Sequence, residues 1–104
     1  MSDLHQIIAD TLQSLAMTTT SFYQNKLGEG YVNLEKTLIL LDGVISIISS
    51  LKVQGQEINI DETRLVASCT EAMNALEMKD ILLLSDILEY EIKDLLETSL
   101  ATIE

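Results

Sequence analysis

The sequence has little of several residue types on which other protein classes depend. It contains no proline, no tryptophan, one cysteine and four glycines in 104 residues. Collagen-like chains need glycine at every third position and disulfide-rich domains need many cysteines, so both classes are excluded. Disorder is excluded as well, because the chain holds 18 leucines, 12 isoleucines and 4 valines and disordered segments are poor in apolar residues.

Basic residues are scarce too. The chain has six Lys and Arg residues and 17 Asp and Glu residues, which gives a net charge of −11. Residues 57–104 contain twelve acidic and three basic residues and therefore carry −9 of that charge. Nucleic-acid binding needs basic side chains at the phosphates, and anionic lipid repels acidic surfaces. We therefore expect no nucleic-acid or membrane partner. The acidic second half either keeps the chain soluble or attracts basic partners.

The few cysteine, histidine and glycine residues indicate where the protein is located and which kinds of catalytic site it lacks. Cys69 is alone, so no intrachain disulfide can form, and the first residues lack a basic signal-peptide region, which favours a cytoplasmic location. His5 is the one histidine, so the Glu-x-x-His pairs of carboxylate-bridged metal sites are missing. Gly28-x-Gly30 lacks the third glycine of a nucleotide-binding loop. The sequence predicts no enzymatic activity, no cofactor and no metal site.

Helical periodicity runs through the whole chain. It predicts helices over about residues 3–26, 31–53, 61–77 and from 80 almost to the end. Short connections between consecutive helices favour antiparallel neighbours. The expected fold is therefore all-α: an antiparallel up-down four-helix bundle that forms a single domain over residues 1–104.

Local signals predict where these helices begin and end. Gly28 is expected just after the first helix, in a Gly28-Glu29-Gly30 turn. Asp61 and Asp80 are expected to cap the third and fourth helices. The connection between those two helices has neither glycine nor proline, so one long helix over residues 61–103 is the alternative. The threonines at 18–20 are poor helix formers and are expected to weaken or bend the first helix.

The fourth helix begins with more aliphatic residues than one buried stripe needs. That stripe consists of Ile81, Leu84, Leu88, Ile92 and Leu95. The extra apolar residues Leu82, Leu83 and Ile87 indicate a subunit interface or a groove for a partner helix, with a tightly packed monomer as the alternative. We expect a partner to contact these three residues and Tyr90, with Asp86 and Glu89 as a polar rim.

Other charged residues lie opposite or beside the apolar stripes of the helices. Asp86, Glu89, Lys93 and Glu97 align opposite the apolar stripe, as expected for a solvated face with weak ion pairs such as Glu89 to Lys93. Glu91 and Asp42 lie at the edges of apolar sectors. Each either reaches solvent past a neighbour or makes a polar contact that fixes helix register or the orientation of a partner.

One segment of the second helix carries a family resemblance. Residues 37–45, read as T-L-I-L-L-D-G-V-I, resemble the L-x-x-L-Y-D-G-A-I element of bacterial flagellin export chaperones, with departures at Thr37, Leu41 and Val44. Residues 80–91 resemble a segment of small uncharacterised bacterial helical proteins. The first resemblance implies a small helical bundle that holds an aggregation-prone client.

Together these observations predict a non-enzymatic helical protein-interaction module, a chaperone or adaptor for an export- or motility-type client. The partner is a protein segment, docked on apolar surface and steered by the acidic second half. The alternative is a self-assembling homodimer with a structural or regulatory role.

Overall fold

The computed structural model describes residues 2–58 and 60–102 of the chain. The predicted all-α fold with four helices is confirmed, and these residues contain no strand. Helix α1 is Ser2–Tyr23, α2 is Leu27–Val53 and α3 is Glu62–Glu77. Helix α4 covers residues 81–102 in three continuous parts: an α-helical Ile81–Ile87, a π-helical turn Leu88–Ile92 and an α-helical Lys93–Thr102.

Helix α1 lies at the centre of the arrangement. It packs closely against α2 and also contacts α4, while α3 packs mainly against α4. The molecule is elongated, 43 × 21 × 19 Å. The core between the helices is almost entirely aliphatic, and its largest fully buried apolar side chains are Leu4, Ile8, Leu15, Val44, Ile48, Leu65, Leu84, Leu88, Ile92 and Leu96. The turns α1–α2 and α3–α4 meet at one end of the molecule.

The first turn differs from the prediction. Helix α2 begins at Leu27, so Gly28 and Gly30 lie inside its first turns, and the predicted Gly28-Glu29-Gly30 turn is wrong. The chain reverses at residues 24–26, where Asn25 adopts a left-handed conformation with φ 62°. Asparagine tolerates this conformation because its short side chain can hydrogen-bond locally. Asn25 therefore occupies the left-handed position that the prediction assigned to Gly28.

The predicted N-caps of α3 and α4 are confirmed. The Asp61 carboxylate accepts a hydrogen bond from the Arg64 backbone N–H at 3.0 Å, and the Asp80 carboxylate accepts one from the Leu83 N–H at 3.1 Å. Lys79, with φ 57°, separates α3 from α4, so the alternative of one long helix is excluded. These caps satisfy N–H groups that the helices themselves leave without partners.

Helix α1 continues through its threonines to Tyr23, against the expected weakening. The Thr18 hydroxyl donates to the Ser14 carbonyl at 2.8 Å, and on α2 the Thr37 hydroxyl donates to the Asn33 carbonyl at 2.8 Å. The Ser14 and Thr37 hydroxyl oxygens are 2.6 Å apart across the two helices. These small hydroxyl side chains let α1 and α2 approach closely while their polar atoms stay hydrogen-bonded.

Helices α1, α2 and α3 end in the same hydrogen-bonded motif, with Asn25, Gly55 and Lys79 respectively in the left-handed position. Glycine is the usual residue there because it lacks the Cβ that the conformation strains. We expect Lys79→Gly to raise the free energy of unfolding by about 0.5–1 kcal/mol, measured by urea denaturation. Asn25→Gly is the matched control and should gain less, since asparagine already tolerates the conformation. Equal gains at both positions would contradict this explanation.

Candidate functional site

A surface groove lies between the end of α1 and the beginning of α4, at the end of the molecule where the two turns meet. Its volume is about 380 Å³. The residues that line it come from α1, the α1–α2 turn, α2 and α4: Phe22, Tyr23, Asn25, Leu27, Ile81, Leu82 and Ser85. The groove therefore exists only because the two helical hairpins pack side by side.

Apolar side chains form most of this groove. Phe22 is buried and Ile81 half-buried, whereas Tyr23, Leu27 and Leu82 are exposed, with Leu82 at 65% of its full accessibility. The buried Ser85 hydroxyl donates to the Ile81 carbonyl at 2.8 Å, so it presents no free polar group to the groove. Exposed aliphatic and aromatic side chains around a concave surface are typical of sites that bind other proteins.

A tyrosine–carboxylate pair borders the groove. The Tyr23 hydroxyl donates a hydrogen bond of 2.7 Å to Asp86 Oδ1. Desolvation and then this hydrogen bond raise the pKa of Tyr23, because ionising the phenol would remove the donor and place a second negative charge beside the carboxylate. Tyr23 therefore stays neutral at physiological pH and links α1 to α4.

A second carboxylate, Glu89, lies one turn further along α4. Its Oε2 is 3.1 Å from the hydroxyl of the buried Thr19 on α1, and its Oε1 pairs with Lys93 Nζ at 3.0 Å. The predicted Glu89–Lys93 ion pair is confirmed, and the hydrogen bond to Glu89 raises the pKa of Lys93. The expectation of a solvated face is wrong for Asp86 and Glu89, which are half-buried and bonded to α1, whereas Glu97 is exposed.

The structure places the six predicted contact residues differently. Leu82 lines the groove, Asp86 borders it, and Glu89 and Tyr90 continue along α4 beyond Asp86; the Tyr90 side chain is 70% exposed. Leu83 is exposed but is not part of the groove lining.

Ile87 requires a correction. Its side chain is only 4% exposed and belongs to the hydrophobic core, so it cannot contact a partner in the folded protein. The physical reason is that α4 packs against both α1 and α3, which buries a wider sector of this helix than one stripe.

Sequence reasoning missed the α1 and α2 side of the groove. Tyr23 and Leu27 flank the α1–α2 turn and are far from α4 in sequence. The available signal was that two short turns of an up-down bundle, α1–α2 and α3–α4, must lie at the same end. Exposed apolar residues beside both turns could therefore have been grouped.

Glu91 and Asp42, each expected either to reach solvent or to make a polar contact, have different surroundings. Glu91 Oε1 accepts a hydrogen bond of 3.3 Å from the hydroxyl of the buried Ser68, so it links α4 to α3. It lies in the π-helical turn, where the Lys93 N–H donates to the Leu88 carbonyl. Asp42 is exposed on α2 and reaches solvent.

The cysteine and the acidic side chains offer little for catalysis or metal binding. Cys69 is half-buried, and burial raises the pKa of its thiol, which disfavours the reactive thiolate. Within residues 2–58 and 60–102, no group of three or more His, Cys, Asp or Glu side chains could hold a metal ion. Among the helices described above, none combines the length and the apolar character that crossing a bilayer requires.

A family model described as a domain of unknown function (DUF8042) matches residues 1–101. The chain belongs to this family. The DUF8042 match includes both walls of the groove and all of its rim, so the site lies within the family domain itself. Searches of curated proteins and of solved structures gave no match.

Proposed function

We propose that this DUF8042 protein is a non-enzymatic interaction module that holds a segment of a partner protein in the groove between α1 and α4. The observation that carries the proposal is the groove itself, in which exposed Tyr23, Leu27 and Leu82 stand beside the carboxylates Asp86 and Glu89. Apolar walls with a charged rim suit an amphipathic segment. A chaperone or adaptor role for an export- or motility-type client is the form of this proposal that the resemblance of residues 37–45 favours.

The charge of the chain supports a basic partner. The net charge of −11 attracts a basic segment at long range, and most of it lies in residues 57–104, which include α3 and α4. The same charge disfavours the alternative, a homodimer joined through this groove. A symmetric dimer joined through this groove would place two copies of the same acidic surface in one interface, and like charges repel.

Leu82→Asp is expected to abolish capture of the partner, because it places a charge on the apolar wall of the groove without disturbing the core. The measurement is affinity capture from the native cell with tagged protein, followed by mass spectrometry and quantitative comparison between variants. Ile39→Asp is the matched control: Ile39 is 67% exposed on α2, against 65% for Leu82, and does not line the groove. It should retain the captured protein.

Two results would count against the proposal. If Leu82→Asp and Ile39→Asp retain the same proteins in the same amounts, the groove is not the binding site. If light scattering shows a concentration-independent dimer that Leu82→Asp converts to a monomer, the groove serves self-assembly instead. Circular dichroism of both variants confirms that each is folded before capture is compared.

A further inference from the structure

We infer that the occupant of the groove is a basic amphipathic helix that places an aliphatic side chain between Leu27 and Leu82 and an arginine or lysine against Asp86. This inference rests on the proposed function and names the chemistry of the partner. It follows from three features of the groove: the spacing of its residues along α4, the unequal compensation of its two carboxylates, and an exposed aromatic ring beside them.

The spacing comes from α4. Leu82 and Asp86 are four residues apart within the α-helical part of α4, which places them on one side of the helix about 6 Å apart along its axis. Tyr90 follows in the π-helical turn. The groove therefore offers an apolar contact and a negative charge one helical turn apart. A partner helix has the same rise, so an aliphatic residue and a basic residue three or four positions apart match both contacts at once.

The two carboxylates differ in how their charge is compensated. Glu89 pairs with the ammonium group of Lys93, whereas the hydrogen bond that the structure gives to Asp86 comes from the neutral hydroxyl of Tyr23. Within residues 2–58 and 60–102 no ion pair involves Asp86, so a partner's cation can pair with it at the edge of the apolar groove. A carboxylate can accept two hydrogen bonds from a guanidinium group, which makes arginine the best match and lysine the next.

Tyrosine rings strengthen this preference for a cation. Tyr90 is exposed one turn after Asp86, and Tyr23 is in direct contact with the Asp86 carboxylate. A guanidinium or ammonium group bound to Asp86 would lie one turn from the exposed Tyr90 ring, and the faces of aromatic rings attract cations.

The backbone of the partner is better satisfied as a helix than as an extended strand. Strand-like peptides gain most of their affinity by pairing with an exposed sheet edge, and the described part of this chain, residues 2–58 and 60–102, has no strand. A helix satisfies its own backbone hydrogen bonds and needs only side-chain contacts.

Selection from a library of displayed 15-residue helical peptides, randomised on one face, tests the inference directly. Against the wild-type protein we expect enrichment of an aliphatic residue with arginine or lysine three or four positions away. Selection against Asp86→Asn should keep the aliphatic residue and lose the basic one. Selection against Leu82→Asp should lose the aliphatic residue, because a carboxylate replaces its apolar contact.

The selected peptide then allows a quantitative test. Asp86→Asn is expected to raise its Kd about tenfold, while Asp94→Asn, the same change at an exposed position further along α4, should alter Kd by less than about twofold. Replacing the peptide's basic residue by glutamine should weaken binding to the wild type about tenfold and binding to Asp86→Asn little. This non-additivity identifies the direct pair without depending on one variant.

Failure of the inference is distinguishable from failure of the proposed function. Peptides enriched in an aliphatic residue without a basic one, and sensitive to Leu82→Asp, would overturn the arginine or lysine contact and leave the groove as a binding site. No enrichment against the wild-type protein would overturn both.

Discussion

Replacing Leu84 by alanine is expected to lower the free energy of unfolding by about 2–5 kcal/mol. Leu84 is 1% exposed and lies in the core between the helices. The substitution removes buried methyl and methylene groups and leaves a cavity that the surrounding helices fill only in part. Because small domains are stable by only about 5–15 kcal/mol, this single change removes a large share of the total.

Leu82→Ala is the matched control, two residues away in the same helical turn. Leu82 is exposed at the groove, so its replacement should change the free energy of unfolding by no more than about 0.5 kcal/mol. Urea denaturation of both variants followed by circular dichroism gives the comparison. Equal losses would mean that Leu82 is buried in solution, for example in a dimer, and that the groove is not open.

Gly30→Ala is expected to destabilise the protein by about 1–2 kcal/mol, although alanine is the better helix former by about 1 kcal/mol. A Cβ at this position would lie 2.4 Å from two atoms of the Phe22 ring. That ring is buried and packs edge-on against Tyr31, with 5.6 Å between centroids, so it has little room to move. Glycine is needed here for close packing of α1 and α2.

Two other glycines of α2 serve as controls for Gly30→Ala. Nothing lies within 4 Å of a Cβ built on Gly28, so Gly28→Ala should be neutral or stabilising by up to about 1 kcal/mol. A Cβ on Gly43 would meet the tip of the flexible Ile7 side chain at 2.6 Å, which can rotate away, so Gly43→Ala should fall between the other two. Thermal and urea unfolding of the three variants test this order. A Gly30→Ala protein as stable as Gly28→Ala would refute the packing argument.

Much of the fold could be predicted from local patterns. The number of helices, the break between α3 and α4 and the two aspartate caps were all predicted correctly, because a cap and a hydrophobic period depend on residues within one or two helical turns. The α1–α2 turn was not, because Asn25 rather than Gly28 takes the left-handed position and both Gly28 and Gly30 lie within α2. Asn25 takes the strained backbone position, and Gly30 makes room for a ring from another helix.

The candidate site was only half predictable. The excess of aliphatic residues at the beginning of α4 correctly indicated that some lie on the surface, but the sequence could not separate exposed Leu82 from buried Ile87. Which of them is buried depends on the directions from which α1 and α3 approach α4. The sequence also could not show that Asp86 and Glu89 form hydrogen bonds with α1, because those bonds join residues more than sixty positions apart.

The sequence by itself determined that this protein is an acidic helical domain, since helix formation, capping and net charge are local or summed properties of its residues. The tertiary structure decided where the surplus apolar surface lies. Packing α4 against both α1 and α3 buries Ile87. Packing α1 against α2 and α4 brings Tyr23 to Asp86 and places Leu27 and Leu82 in the lining of one groove. The residues of one helix cannot specify that arrangement, because burial is a property of neighbouring helices.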